Sequence, residues 1–280
     1  MLGAFFYTGV REARNAVRRK EIKQNLTQIG IALEKYHAKQ IHEETLSQGI
    51  TPKAPSPTSI VSTRSQPIAP TSFLDRINLA TNRSNSRKNM KQIGLAMYNY
   101  HSTYRCFPPG GTETQKGLPY HSWQTSILPF VDQASIYYKI NFNKPWSDPQ
   151  NHKLFKNKGP FYLNPSIKEK VAPDGSALSH FVGNSLLLKK NHSSRFQEIL
   201  DGKQHTIMAV GRGNHFKAWG DPTSLAEPSQ IIGPDKISSF PDGNYALMCD
   251  GSVRLIAKDI NPSILKALST PNGGEKIGDY

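Results

Sequence analysis

The chain has 280 residues, 36% of them hydrophobic and 20% charged, so it can bury one sizeable core or two small ones. Its two cysteines are too few for a disulfide framework, and no Cys/His cluster has zinc spacing. Residues 1–105 carry +10 of the net charge of +14, which fits a basic segment that meets phosphates, anionic lipid or an acidic partner, and also fits a solvated helix face.

Residues 1–46 are predicted to form a basic amphipathic helix. Apolar side chains recur on one face at helical spacing: Leu26, Ile29, Leu33 and Tyr36. Basic side chains crowd the first half and define a basic arm: Arg14, Arg18, Arg19, Lys20 and Lys23. The apolar start, residues 1–10, is too short to span a bilayer and has no charged region before it, so neither a transmembrane helix nor a leader is predicted in the chain as given.

Residues 47–72 change in composition and are predicted to be a linker. They contain five Pro, six Ser and four Thr in 26 residues. Proline lacks a backbone donor, and the remaining polar side chains leave little to bury, so a packed element is not expected here.

A second helix is predicted over residues 73–105. Its apolar face consists of Met90, Ile93, Met97 and Tyr100. Seven of the 13 residues from 25 to 37 recur 64 positions later, which indicates an internal duplication. Gly94 costs roughly 1 kcal/mol relative to Ala in a helix, so we expect another backbone to approach it closely. His101 is predicted to interact with the carbonyls of the last turn, a metal-binding or catalytic role being the alternative.

The remainder, residues 106–280, is predicted to be a head of short helices and mostly antiparallel strands. Pro108-Pro109 and the two glycines that follow are expected to end the long helix. Strands are predicted at 161–163, 180–182, 205–210, 245–249 and 252–257. The last two flank Asp250-Gly251, which predicts a hairpin with a type I′ turn. Asp148-Pro149 and Asn261-Pro262 are typical helix starts.

No motif in the sequence predicts a reaction. Patterns typical of nucleophile elbows, zinc proteases and phosphate-binding loops are missing, so we expect no enzyme, no catalytic residue, no metal and no cofactor. Two alternatives stay open. A ligand-binding head would use the aromatic side chains Trp123, Trp146 and Trp219, and a nucleic-acid-binding protein would use the basic arm, although no nucleic-acid module accompanies it. Cys106 and Cys249 could pair or remain separate thiols.

Several motifs resemble one family. They are Asn89–His101, Phe107–Gly110, Ser122-Trp123, Leu128-Pro129, Lys144–Trp146, Phe161–Ser166, Asp201-Gly202 and Asp250–Arg254. The family is the planctomycete-type domain of unknown function 1559, whose members begin as prepilins. The resemblance covers about residues 73–280, and the first helix matches a second time. It implies a pilin-like α+β layout, a surface or envelope location and assembly through the helix, with no known enzymatic activity.

The chain departs from the family pattern at positions that the resemblance marks as cysteine or histidine. The helix cysteine is replaced by Ile22 in the first copy and by Ser86 in the second, and a downstream cysteine is replaced by Asn164. These losses are consistent with a lost pairing. The C-terminal signature, a His followed by nine residues and Asp-Gly, has Phe240 in place of the His.

We therefore predict a pilin-like, non-catalytic envelope or surface protein with a structural or assembly role. Residues 73–280 form the pilin-like domain, with a stem helix over 73–105 and a head over 106–280. The two apolar helix faces are the expected assembly face. The expected partners are further copies or other pilin-like proteins and an anionic membrane surface; nucleic acid is not expected. Without a leader or anchor, the chain as given would be soluble.

Overall fold

The computed structural model describes residues 72–275; residues 72–79 belong to one unit of the chain and residues 80–275 to a second. Within that range there are five α-helices and three sheets, so the fold is α+β, as predicted. The predicted first helix, almost all of the predicted linker and the last five residues lie outside the described residues.

The longest element is helix α1, Phe73–Tyr104, which confirms the predicted second helix to within one residue. In the first unit, Ser72 and Asp75 cap its start reciprocally: the Asp75 amide donates to Ser72 Oγ (3.1 Å) and the Ser72 amide donates to Asp75 Oδ2 (3.3 Å). The helix ends before the prolines rather than at them. Arg105 adopts a left-handed conformation (φ 61°) and its amide donates to the His101 carbonyl, which terminates the helix.

Short helices and strands make up the rest of the second unit. The α-helices are α2 Trp123–Ser126, α3 Ala134–Tyr137, α4 Pro149–Phe155 and α5 Pro262–Ser269. The strands are β1 Gly111–Glu113, β2 Pro119–Ser122, β3 Leu178–Ser179, β4 Phe181–Asn184, β5 Ile207–Gly211, β6 Lys217–Ala218, β7 Leu225–Ala226, β8 Gly243–Met248 and β9 Val253–Ala257. Asp148 and Asn261 cap α4 and α5 with their side chains, and each helix has proline in its first turn, as predicted.

The main sheet has the strand order β7-β4-β5-β8-β9. All pairs are antiparallel except β4 with β7, which confirms the prediction of mostly antiparallel strands. Two small sheets pair β1 with β2 and β3 with β6.

Strand β8 is buried along its whole length because both faces of the sheet are covered. Successive side chains point to opposite faces of a strand. Ala246 and Met248 therefore join the hydrophobic cluster that includes Leu265 and Leu268 of α5. On the other face, Leu247 lies against α1, as its closeness to Gly94 shows.

The predicted hairpin at Asp250-Gly251 is confirmed, but its turn is not type I′. A type I′ turn needs positive φ at both central residues. Here only Gly251 is left-handed (φ 83°), and the Gly251 amide donates to the Met248 carbonyl. The connection is a three-residue loop, 249–251, in which a turn is followed by a left-handed glycine.

The strand predicted at 161–163 is wrong. Pro160–Tyr162 form a 3₁₀ helix, and the Tyr162 amide donates to the Gly159 carbonyl. The physical reason is tertiary: Tyr162 is fully buried and its hydroxyl donates to the Gln124 carbonyl at 2.6 Å. A local turn places that ring in the core, whereas an extended strand would need a pairing partner.

Candidate functional site: the faces of helix α1

One face of α1 is packed into the second unit. Met90, Ile93 and Met97 are at most 1% exposed, and Tyr100 is half-buried. The predicted assembly face of this helix is thus occupied by the chain's own head. An assembly role for these residues would require them to leave the head, and that role stays a prediction. Leu26, Ile29, Leu33 and Tyr36, the matching face of the first helix, and the basic arm lie outside the described residues.

Two side chains of α1 hydrogen-bond to backbone carbonyls of the head. Asn89 Nδ2 donates to the Leu163 carbonyl (2.8 Å), and the Tyr98 hydroxyl donates to the Cys249 carbonyl (2.6 Å). These bonds fix the helix at both ends of its buried stretch.

Gly94 lies where the helix approaches the sheet most closely. A Cβ atom at this position would lie 2.8 Å from Leu247 Cδ1 and 3.8 Å from the Gly251 Cα atom. The close approach predicted from the sequence is present, but its nearest atom belongs to a side chain rather than to a backbone.

The replaced cysteine positions are both buried. Ser86 and Asn164 are each 1% exposed, and Ser86 Oγ and Asn164 Nδ2 have no hydrogen-bond partner within the described part of the chain. Asn89, three residues after Ser86 on the same face, bonds to Leu163, the neighbour of Asn164. The hypothesis of a lost pairing stays a prediction.

The two cysteines of the chain are both free, which excludes a bond between Cys106 and Cys249 in this structure. Burial raises the pKa of the Cys249 thiol.

The side of α1 next to its buried face lines a basic groove of about 690 Å³. We use the name "basic groove" for the cavity lined by Ala80, Arg83, Ser84, Arg87, Lys88, Lys91, Gln92, Leu95 and Tyr245. Our sequence reasoning missed this site. The signal was present, because Arg83, Arg87 and Lys91 recur at four-residue intervals and must share one helix face.

Two arginines of the basic groove are held in place by strand β8 and the loop before it. Arg83 Nη2 donates to Asp242 Oδ1 at 2.6 Å, and its Cζ lies 5.7 Å from the centroid of the Phe240 ring. Arg87 Cζ lies 5.9 Å from the Tyr245 ring centroid. Both distances fall within the range of cation–π attraction. Phe240, at the signature histidine position, is 1% exposed and packs edge-on against Tyr245.

His101 does not behave as predicted. Its ring packs against Phe196 (4.1 Å between centroids) and Phe107 (5.1 Å), and its Nε2 has no hydrogen-bond partner among the residues that the structure describes. Burial lowers its pKa, and the nearby cations Lys203 and Arg105 lower it further. The ring therefore serves as an aromatic packing group rather than as a cap for helix carbonyls.

A Ser–His–Asp cluster occurs in the head, but it does not have the geometry of a catalytic triad. His152 Nε2 contacts both Ser176 Oγ (2.9 Å) and Asp174 Oδ2 (3.3 Å), and Ser176 Oγ itself donates to Asp174 at 2.9 Å. In a triad, the two ring nitrogens contact the serine and the acid separately. Ser176 is also fully buried, so the cluster fits a structural turn.

The tryptophans pack against other residues of the head. Trp123 and Trp219 are at most 1% exposed, and Trp219 Nε1 donates to the Asn157 carbonyl at 2.9 Å. Trp146 is half-buried and packs edge-on against Phe155. In the described part of the chain, no three or more His, Cys, Asp or Glu residues cluster in a way that could hold a metal ion, and no helix is long and apolar enough to cross a membrane.

Comparison with known families adds one match. The family model described as protein of unknown function (DUF1559), SBP_bac_10, matches residues 80–232, more than half of the chain. The chain belongs to the DUF1559 family. This confirms the resemblance read from the sequence. No curated protein and no solved structure matches the chain. The DUF1559 match includes most of α1 and the four helical residues of the basic groove that carry charge, but it ends before Tyr245 and Asp242.

Proposed function

We propose that this DUF1559 protein is a non-catalytic structural or assembly protein of the cell envelope with a pilin-like layout. The observation that carries the proposal is the distribution of burial along α1. Its buried residues all lie between Ser86 and Met97, and residues 73–85 include none. A long helix whose buried residues lie in its C-terminal half, against a β-rich head, is the layout expected of a pilin-like stem.

The sequence of residues 1–46, for which a basic helix is predicted, supports the same proposal. Its apolar face repeats the spacing of the α1 face that packs on the head, so it is suited to pack on another helix or on a second head. Its basic arm is suited to an anionic membrane surface, because each Lys or Arg near such a surface contributes about 1 kcal/mol of attraction.

The experiment is cross-linking in cells that express the full chain, followed by fractionation. We expect cross-linked multimers in the envelope fraction. Leu26→Asp combined with Ile29→Asp places carboxylates on the predicted assembly face and should abolish the multimers. Lys35→Asp places a carboxylate on the opposite face of the predicted helix and should leave the multimers intact.

Two results would contradict the proposal. One is a monomer that remains outside the envelope fraction in every variant. The other is a loss of multimers in Lys35→Asp as complete as in the double variant, which would mean that charge rather than the apolar face governs the association.

A further inference from the structure

The basic groove has the dimensions of a small-molecule site. Ligand pockets usually measure about 300–1,000 Å³, and this one measures about 690 Å³. Its floor includes Tyr245 of β8, which is 7% exposed, and its wall is a continuous face of α1.

The cations of the groove repel one another when it is empty. Arg83, Arg87 and Lys91 are spaced by four residues, or about 6 Å along the helix per step. Like charges at this spacing destabilise a helix. Asp242 neutralises Arg83, but Arg87, Lys88 and Lys91 have no carboxylate partner among residues 72–275. An anion bound in the groove would relieve this repulsion.

The charged groups are also prepositioned. Asp242 and Phe240 hold Arg83, and the Tyr245 ring holds Arg87. Prepositioned groups lose less side-chain entropy when a ligand binds. Arg83 Nε is buried and has no hydrogen-bond partner among residues 72–275, so the contacts that hold this guanidinium are those to Asp242 and Phe240.

We propose that the basic groove binds a soluble ligand that carries two or more phosphate groups. Three uncompensated cations within a small cavity require a ligand of high charge density. A phosphate monoester carries up to two negative charges at neutral pH, and its oxygens match the arginine fork. The Tyr245 ring is covered by Arg87, so the groove has no open aromatic platform for stacking the bases of a nucleic acid.

The experiment is calorimetric titration of the full chain with sodium tripolyphosphate at fixed ionic strength. Arg87→Gln combined with Lys91→Gln should weaken binding at least about tenfold, because each variant removes a charge-assisted hydrogen bond. Arg87→Lys combined with Lys91→Arg keeps both charges, so it should weaken binding less than the glutamine pair does, although lysine at position 87 cannot reproduce the arginine fork. Asp242→Asn removes the competing negative charge but keeps a side-chain oxygen that can accept from Arg83, so it should strengthen binding about twofold.

Two control variants separate a site from general electrostatic attraction. Lys168→Gln with Lys170→Gln removes the same charge from exposed positions outside the groove and should change binding less than about twofold. Arg18→Gln with Arg19→Gln removes two positive charges from the basic arm and should also change binding less than about twofold.

Three results would overturn the proposal. The first is unchanged binding in the Arg87/Lys91 glutamine variant. The second is an equal loss in either control variant, which would indicate non-specific attraction. The third is a protein that binds phosphatidylglycerol vesicles but neither phosphatidylcholine vesicles nor tripolyphosphate, and that loses this binding in the Arg87/Lys91 glutamine variant. The occupant of the groove would then be a lipid surface.

Discussion

Ile93 and Leu95 lie two residues apart on α1, yet Ile93 is 1% exposed and Leu95 is 63% exposed. The side chains are similar in size and hydrophobicity, so the difference comes from the position of the head. The sheet covers one face of the helix, and the basic groove opens beside the other. The hydrophobicity of a single side chain therefore does not identify the buried face of this helix. Leu95 shares its side of the helix with the cations of the basic groove, whereas Ile93 shares its side with Met90 and Met97.

The largest expected effect is on stability and separates the two faces directly. Ile93→Ala removes buried methyl groups and should lower the free energy of unfolding by about 3 kcal/mol. Leu95→Ala, the matched exposed change, should alter it by no more than about 0.5 kcal/mol. Urea denaturation measures both. Equal losses would mean that Leu95 is covered in solution.

A smaller effect is expected at Gly94. Alanine gains helix propensity of about 1 kcal/mol, but its Cβ would lie 2.8 Å from Leu247 Cδ1. Because Leu247 is fully buried and cannot move freely, Gly94→Ala should lower stability by about 1 kcal/mol.

The same change in a Leu247→Ala background tests the cause. With the clash removed, Gly94→Ala should become neutral or stabilising, and the two changes should be non-additive by more than about 1 kcal/mol. Additive losses would show that Gly94 is required for a reason other than contact with Leu247.

The smallest effect concerns pH and the end of the helix. The pKa of His101 lies below its usual 6.5, first because of burial and then because of Lys203 and Arg105. His101 therefore binds a proton more readily in the unfolded state than in the folded state. The contribution of neutral His101 to the free energy of unfolding is complete above pH 6.5 and is lost as the pH falls through the lowered pKa of the folded state. His101→Phe keeps an aromatic ring and should reduce the loss of stability between pH 7.5 and pH 5.5, as measured by denaturation.

Lys203→Gln provides the complementary change. It removes one of the cations that lower the pKa of His101, so a proton NMR titration should show that pKa rise towards 6.5. An unchanged pKa would mean that Lys203 does not contribute to lowering it.

Local patterns predicted the elements whose causes are local. The span of α1 follows from helical spacing, and the β8–β9 hairpin follows from Asp250-Gly251. The type of the turn could not be read, because the same dipeptide fits two loop lengths. The prediction of a strand at 161–163 was wrong because the conformation at Tyr162 depends on its hydrogen bond to Gln124, 38 residues away. The basic groove was visible as a helical repeat of cations, but Asp242 and Tyr245 could not be assigned to it, since each is more than 150 residues from Arg83 or Arg87 in sequence and adjacent only in the folded sheet.

The order of strands in the main sheet has a consequence for any shorter form of this protein. Strand β8 lies between β5 and β9, yet it follows residue 232, where the family match ends. A fragment that stopped there would leave β5, whose five residues are all buried, as an unprotected edge with unpaired backbone donors and acceptors. Such edges pair with other chains and aggregate. The smallest segment that keeps β5 protected and its hydrophobic cluster intact must continue through β8, β9 and α5.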